Sequence, residues 1–588
     1  MSNAHSVRPP SDQLVNLGLV LLVAGIAFIG VLRVAGTVVA WLSGLPEPTG
    51  GIAAGRRVVA DPLDPGAALG APGLNPMTYW AVVAVMLLVP AAAATWVVVT
   101  VRARSSRVNV HAIQGIATGI EVADAASART ITKRADTLRP SLAGRKAAPA
   151  EVGYLLGHAR GRQVWATVED SMLLIGPPRS GKGMFVVLNC ILDAPGAVIA
   201  TSTRPDNLTV TLQARRKVGP VALFDPQRLA PGLPVGMRWS PVRGCDDPLT
   251  AMIRATGLAA STGFGDVEAG GFWEGKTRAG IQALLHAAAI DGRDARALYQ
   301  WALSPSAAAE AVRILQGSTL AAEGWAESLD SMIEADPRTR DSIWQGIGLA
   351  FQSLADPRVM DAVTPNAGEE FDPEAFLQER GTLHLLATAA GAGASAPLVA
   401  AFIEDLVEVA RRMAARSPGA RLDPPLLLAL DEIGNLAPLP SLPTLMAEGG
   451  GSGITPLPVL QSLAQARESW GEHNATAIWD ASIVKVILGG ASNARDLQDL
   501  SALFGERDES TDSVSTDQYG GYSTQRSLRR MPVLPPDLLR ALPFGTGVVV
   551  LRSARPIVTD LRAWTKRPDA AELIAGRRSV ETQIRAAQ

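Results

Sequence analysis

Two long apolar runs open the chain, and short ones recur through the rest of it. The first reads LVNLGLVLLVAGIAFIGVLRVAGTVVAWL, Leu14 to Leu42, interrupted by Arg33; the second reads MTYWAVVAVMLLVPAAAATWVVVTV, Met77 to Val101, with Pro90 as a kink point. A helix of roughly 20 apolar residues crosses the hydrocarbon core of a bilayer. Transmembrane helices are therefore predicted at 14–42 and 77–101. A signal peptide is the alternative for the first run. It is disfavoured because the run is long and no cleavage-like site leads into a secreted-looking sequence. Arg102, Arg104 and Arg107 follow the second run directly and mark a cytoplasmic flank. The tail 1–13, with Arg8, then also lies in the cytoplasm, and the Gly- and Pro-rich loop 43–76 faces outward. Trp41, Tyr79 and Trp80 fall near the outer boundary and Trp96 near the inner one, where amphipathic rings prefer to sit.

Beyond residue 102 the pattern changes to short apolar strands separated by amphipathic stretches. Strands are predicted at Ser171 to Ile175, Ala197 to Ala200, Val221 to Pro226, Thr382 to Leu386, Leu426 to Leu430, Pro458 to Leu460, Val484 to Leu488 and Gly547 to Leu551. Alternation of strands and helices predicts an α/β domain whose mostly parallel sheet is covered on both faces. From 246 to 370 the apolar residues fall at helical spacing instead, as in TRAGIQALLHAAAI, ARALYQWAL and PSAAAEAVRIL. The reading is an α/β domain in two parts, 102–245 and 371–588, split by an all-α insert at 246–370. Residues 505–530 are polar and rich in Ser, Thr, Asp and Gly, compatible with a hairpin or with a loop.

Composition adds limits. The hydrophobic share is 47%, high for a wholly soluble chain, and the formal net charge is −2. A near-neutral chain has no global basic footprint for nucleic acid, so any DNA contact must be local, such as a ring of basic groups in a pore. Lys133, Arg134 and Arg139 form one modest basic run and Arg529-Arg530 another, though such runs are usually solvated faces. Cys190 and Cys245 are the only cysteines, which suggests neither a disulfide framework nor a zinc site.

The chemistry is concentrated at the ends of three predicted strands. After Ile175 comes Gly176-Pro177-Pro178-Arg179-Ser180-Gly181-Lys182-Gly183, and Met184 opens an apolar helix-like stretch. Strand, glycine-rich loop and helix are the setting of a P-loop. Glycines let backbone N–H groups turn toward phosphate oxygens, and the helix N-terminus adds partial positive charge. Lys182 would reach the β- and γ-phosphates of ATP. One element is missing: the Ser or Thr that usually follows the lysine and ligates Mg²⁺ is Gly183. The strand LLLAL then ends in Asp431-Glu432. Asp431 is placed to serve the Mg²⁺, and Glu432 to orient or deprotonate the attacking water. Gln461 ends the strand at 458–460, a position from which a polar amide can sense the γ-phosphate. Lys182 and Asp431 lie 249 positions apart, far more than compact βα connections need, which the insert explains.

Together these phrases resemble the type IV secretion coupling proteins, the TraG/TraD-like conjugative ATPases. The resemblance rests on GPPRSGKG, on VALFDP and RWSPVRGCDDP, on GFWEGKTRAGIQALLHA, on LLLALDEIGNLAPLP, on VLQSLAQARESWG, and on MPVLPPDLLRALPFGTGVVVLRSARPI, in that order behind two apolar spans. It implies an α/β RecA-like P-loop NTPase core with an inserted all-α domain and two N-terminal transmembrane helices, in a bacterial plasma membrane with both termini cytoplasmic. It further implies a homo-hexameric ring, single-stranded DNA held without regard to sequence, a relaxase or secreted protein as cargo, and secretion-channel components as partners. The chain departs from the pattern at Gly183. It also lacks an Arg in AEGGGSGITP, where some relatives carry an arginine finger; Arg495 or Arg179 would have to substitute. Two other classes remain open: an FtsK- or HerA-like DNA translocase, and a non-hydrolysing scaffold that recruits substrates.

Overall fold

The computed structural model describes residues 10–49, 51–105, 109–260, 270–369, 371–388, 395–516, 522–552 and 554–587. Residues of the N-terminal tail up to position 9, including Arg8, and Arg107 of the basic flank lie outside them. The chain divides into two units, 1–109 and 110–588.

In the first unit, helices Pro10–Leu42 and Pro76–Ser105 are joined by two short helices, Ala54–Ala60 and Pro65–Leu69. The stretches Leu22–Leu42 and Pro76–Trp96 are long and apolar enough to cross a membrane. Leu32, Ala35, Val39, Tyr79 and Val83 are buried where the two helices meet the connecting segment. Arg33, a charge inside an apolar helix, is hydrogen-bonded at both ends of its guanidinium, to Thr37 Oγ1 at 2.6 Å and to the Pro48 carbonyl at 2.8 Å. Tyr79 donates to the Leu32 carbonyl across the helix pair at 2.8 Å. Polar groups in such a setting need internal partners, because lipid offers none.

The second unit is built on one eleven-stranded sheet. Its strands are β1 (Gly153–Ala159), β2 (Arg162–Thr167), β3 (Met172–Ile175), β4 (Val198–Ser202), β5 (Val221–Phe224), β6 (Thr382–Leu386), β7 (Leu426–Leu430), β8 (Ile454–Leu460), β9 (Val484–Leu488), β12 (Thr546–Leu551) and β13 (Ile557–Leu561). The hairpin β10 (Glu506–Thr516) and β11 (Tyr522–Pro532) stands apart from the sheet. The order is β2-β1-β13-β12-β9-β3-β8-β7-β4-β6-β5. The run from β9 to β5 is parallel, while β12, β13, β1 and β2 continue it antiparallel. Strands β3, β4, β6, β7 and β8 are buried along their whole length, as parallel strands covered on both faces must be. The expected α/β RecA-like P-loop architecture with its helical insert is the one observed, and within the polar 505–530 stretch the described residues form two paired antiparallel strands.

Strand β8 carries two prolines in the middle of the sheet, where a missing N–H normally excludes them. Gly176 N donates to the Leu460 carbonyl at 3.0 Å, so Leu460 faces β3. By the two-residue period of a strand, Pro456 and Pro458 face the same way. On that side β8 pairs with β3 only at Val459 and Leu460, so the prolines forfeit no ladder bond there.

Between β5 and β6 the chain is helical. The starts are written in the sequence: Asp247-Pro248, Ser304-Pro305, Asp336-Pro337, Asp356-Pro357 and Asp372-Pro373 each cap and open a helix, the side chain accepting from backbone N–H groups of the first turn. An Asp or Ser cap followed by Pro at the first helical position combines two preferences for helix starts. The helices Pro248–Ala259 and Ala396–Arg416 pack together where the insert meets the sheet. There Asp405 is 6% exposed and receives Arg254 and Arg243, the latter at 2.9 Å. The Trp239 ring stacks on Phe402 with centroids 4.6 Å apart, and the Arg254 guanidinium lies 5.2 Å from the same indole.

A candidate nucleotide site at the ends of the parallel strands

The sheet order decides what can meet. Strand β8 lies between β3 and β7, and β4 lies on the far side of β7. The pairings Ile175 with Leu460, Leu430 with Pro458, and Thr201 with Leu430 bring four strand ends to one edge of the sheet. Ligands of open α/β sheets bind outside such carboxyl ends. A cleft of about 660 Å³ opens here, lined by residues 178–184, by Asp431, Glu432 and Gln461, and by Ser202, Thr203, Arg204, Asp206 and Asn207. The structure thus brings Lys182, Asp431, Glu432 and Gln461 together. Gly176 and Pro177 sit just behind, where their carbonyls accept from Lys182 Nζ at 2.7 and 3.2 Å.

The loop's glycines differ in role. Gly181 has φ +92°, and a Cβ there would lie 2.6 Å from the Phe185 ring and 3.1 Å from Phe544. Only glycine fits that conformation and that space. Gly183 has open space around it, its nearest neighbour being Asn207 Oδ1 at 4.0 Å from a Cβ built there. Arg179 holds φ +65° and Glu432 φ +55°. Left-handed backbone at a non-glycine residue costs energy and is held in place by its surroundings. Glu432 is so held: Thr203 Oγ1 donates to its carboxylate, and Thr201 Oγ1 donates to the Asp431 carbonyl at 2.9 Å. The helix after the loop opens with a wide π turn at Gly183–Val187 before becoming α-helical at Leu188.

Electrostatically the site is tense without a ligand. Burial pushes the Lys182 amine below its ordinary pKa, opposed by the nearby Asp431 and Glu432 charges. Burial pushes the Asp431 carboxyl up to about 6, with Glu432 adding to the rise and the Asn207 amide and Lys182 opposing it. Asn207 Nδ2 donates to Asp431 Oδ2 at 3.2 Å. Because the unfolded carboxyl ionises near 4 and the folded one holds its proton to about 6, this group lowers stability progressively as pH rises between those values, and by a constant amount above them. The side chain is partly open to the cleft, which discounts the effect. Asp431→Asn is expected to stabilise the ligand-free protein at pH 7 by up to about 2 kcal/mol, with the gain vanishing near pH 4. Denaturation midpoints of the two proteins at pH 4 and pH 7 check this.

The residues fit a magnesium nucleotide. The lysine, the loop N–H groups and the helix start suit phosphate, and Asp431, Glu432 and Asn207 offer hard oxygens. Among the described residues no group of three His, Cys, Asp or Glu side chains forms a self-sufficient metal site. Mg²⁺ ordinarily takes one or two protein carboxylates and completes its shell with phosphate and water. Gln461 N donates to Gln465 Oε1 at 2.8 Å, and Gln465 Nε2 donates in turn to Asn435 Oδ1 at 2.7 Å, linking the β8 end to the turn after Asp431 and Glu432. Of the two arginine-finger candidates, Arg179 lines the cleft, whereas Arg495 is 3.8 Å from Glu472 and not among the lining residues. Trp564, Thr565 and Arg577, from the C-terminal segment, also line the cleft, although nothing in the sequence marked them.

The family described as the TraM recognition site of TraD and TraG matches residues 425–544, which contain Asp431, Glu432 and Gln461. Over this segment the chain is similar to TraD and TraG. The conjugal transfer protein TraG of Rhizobium radiobacter is 30% identical over 157 residues, 26% of this chain and 24% of that protein, so the chain aligns with about a quarter of this relative's length. The fold is that of the bacterial conjugative coupling protein TrwB. Its unbound ΔN70 form superposes with a TM-score of 0.50 at 18% identity, over 70% of this chain and 90% of that one. TrwB in complex with ADP and Mg²⁺ gives a TM-score of 0.50 at 18% identity, over 69% and 90%.

Proposed function

We propose that this chain is a membrane-anchored coupling ATPase that drives DNA, or a relaxase–DNA complex, toward a type IV secretion channel. The observation that carries the reading is the convergence of Lys182, Asp431 and Glu432 on one cleft, in a chain whose segment 425–544 matches the TraM recognition site of TraD and TraG. The solved TrwB complex with ADP and Mg²⁺ supports ATP and Mg²⁺ as the ligands. Mg²⁺ supplies charge neutralisation at the β- and γ-phosphate oxygens when bound. Lys182 leaves its own loop carbonyls to meet the phosphates. Asp431, as a carboxylate, would serve the metal. Glu432, fixed by Thr203, orients and deprotonates water. Gln461 senses the γ-phosphate. The apolar helices anchor the chain in the bacterial plasma membrane with both termini in the cytoplasm. A homo-hexamer multiplies each pore-facing basic group sixfold, so a subunit of net charge −2 still offers single-stranded DNA phosphates a cationic, sequence-independent path.

The test is ATP hydrolysis by the full chain in detergent, with and without single-stranded DNA. Turnover is expected to rise with DNA and to vanish in Lys182→Ala. ATP binding without turnover, in samples that have formed hexamers, would replace the motor by a non-hydrolysing scaffold.

A further inference from the structure

We propose that Asn207 replaces the hydroxyl that Gly183 lacks, its Oδ1 serving as the second hard-oxygen partner of the nucleotide's Mg²⁺ beside Asp431. This rests on the nucleotide reading above and goes beyond it, because Asn207 belongs neither to the loop nor to the Asp431 strand.

Three observations converge. First, Gly183 removes a side-chain oxygen but does not close the space, and the nearest atom to that space is the Asn207 Oδ1 oxygen. Second, the direction of the Asn207 amide is fixed by chemistry. A carboxylate accepts only, so the amide nitrogen must face Asp431, as it does at 3.2 Å. The amide oxygen is thereby turned toward Gly183 and the cleft. Asn207 is 3% exposed, and among the described residues no protein donor reaches that oxygen. Asn207 lines the cleft, so this oxygen is available to a cation there. Third, the side chain is delivered by a braced helix. Helix Asp206–Arg215 is pinned by Arg215, which is fully buried and donates to Thr382 Oγ1 at 2.7 Å and to the carbonyls of Ala194 and Gly196 at 2.8 and 2.7 Å. Thr211 Oγ1 holds the Asn207 carbonyl at 2.6 Å. The amide oxygen would therefore be offered to a metal from the helix that follows β4, and the loop is free to carry glycine.

The experiment measures the affinity of the full chain in detergent for a fluorescent ATP analogue, once in Mg²⁺ and once in EDTA. The ratio of the two dissociation constants reads how strongly the metal tightens binding, without reference to turnover. Asn207→Ala is expected to lower this ratio about tenfold or more while leaving the EDTA affinity near wild type. Adding Gly183→Ser to Asn207→Ala is expected to restore most of the loss, since the hydroxyl returns to open space. If Asn207→Ala disturbs folding, the isosteric Asn207→Asp keeps an oxygen in place and is expected to retain the metal dependence. An unchanged ratio in Asn207→Ala, no recovery in the double variant, or a lost ratio in Asn207→Asp each overturns the proposal. Wild type that binds no nucleotide in either buffer overturns the nucleotide reading itself, and the two failures are thus told apart.

Discussion

Glu432→Gln is expected to leave ATP bound and unhydrolysed. The change removes a proton acceptor and keeps nearly the same volume. The loop, Lys182 and Asp431 are untouched, and the amide oxygen still accepts from Thr203, the contact that holds the left-handed turn at position 432. What disappears is deprotonation and alignment of the attacking water, a contribution of roughly 10²- to 10⁴-fold to rate. Single-turnover hydrolysis should fall by that factor, while the dissociation constant for ATP stays within a few-fold. Equal loss of binding and turnover would show instead that Glu432 organises the cleft rather than the water.

Asp405→Ala is expected to produce the largest loss of stability. Asp405 is buried and is the shared acceptor of Arg254, of Arg243 at 2.9 Å and of the Trp239 indole at 3.4 Å. Arg254 is 1% exposed, so truncation strands a buried guanidinium. Removing one partner of a buried ion pair costs about 3–5 kcal/mol, whereas replacing both by apolar groups of similar volume is often neutral. The midpoint of denaturant unfolding should drop sharply in Asp405→Ala and recover substantially in Asp405→Leu combined with Arg254→Met. Because these groups tie helix Pro248–Ala259 to helix Ala396–Arg416, the insert should loosen before the sheet does. A small change in Asp405→Ala would mean that the Trp239–Phe402 stack carries the junction alone.

The residues that announce the site are those whose local sequence is itself the mechanism. A strand, a glycine-rich turn and a lysine must be contiguous to cradle phosphate, and an acidic pair must end a buried strand to reach it. Both signals lie within a dozen positions. Asn207 is different. It sits in an ordinary helix, and only the order β3-β8-β7-β4 carries it to Asp431. Trp564 and Arg577 are hidden because they reach the cleft only through packing of the C-terminal helix Ala570–Ala586 against helix Asp206–Arg215. The β1–β2 hairpin escaped notice because its tight turn is Arg160-Gly161, both at positive φ, and Arg lacks the Asn or Asp signature of such turns. The β10–β11 hairpin carries no alternating apolar face, so its pairing is invisible to periodicity.

The placement of β3 has a consequence for biosynthesis. Both of its neighbours, β8 and β9, come from residues after 453. At ribosomal speeds of about 5–20 residues per second, β3 waits roughly 15 to 60 s for its first partner strand. Until β6 and β7 emerge, β4 and β5 also lack their partners, and the two long apolar helices are already synthesised. The nascent chain therefore exposes several unpaired, predominantly apolar strand edges, a state prone to self-association. The cleft of Lys182, Asp431 and Glu432 is complete only when translation is nearly finished, so products truncated before β8 carry the two apolar helices without an assembled site.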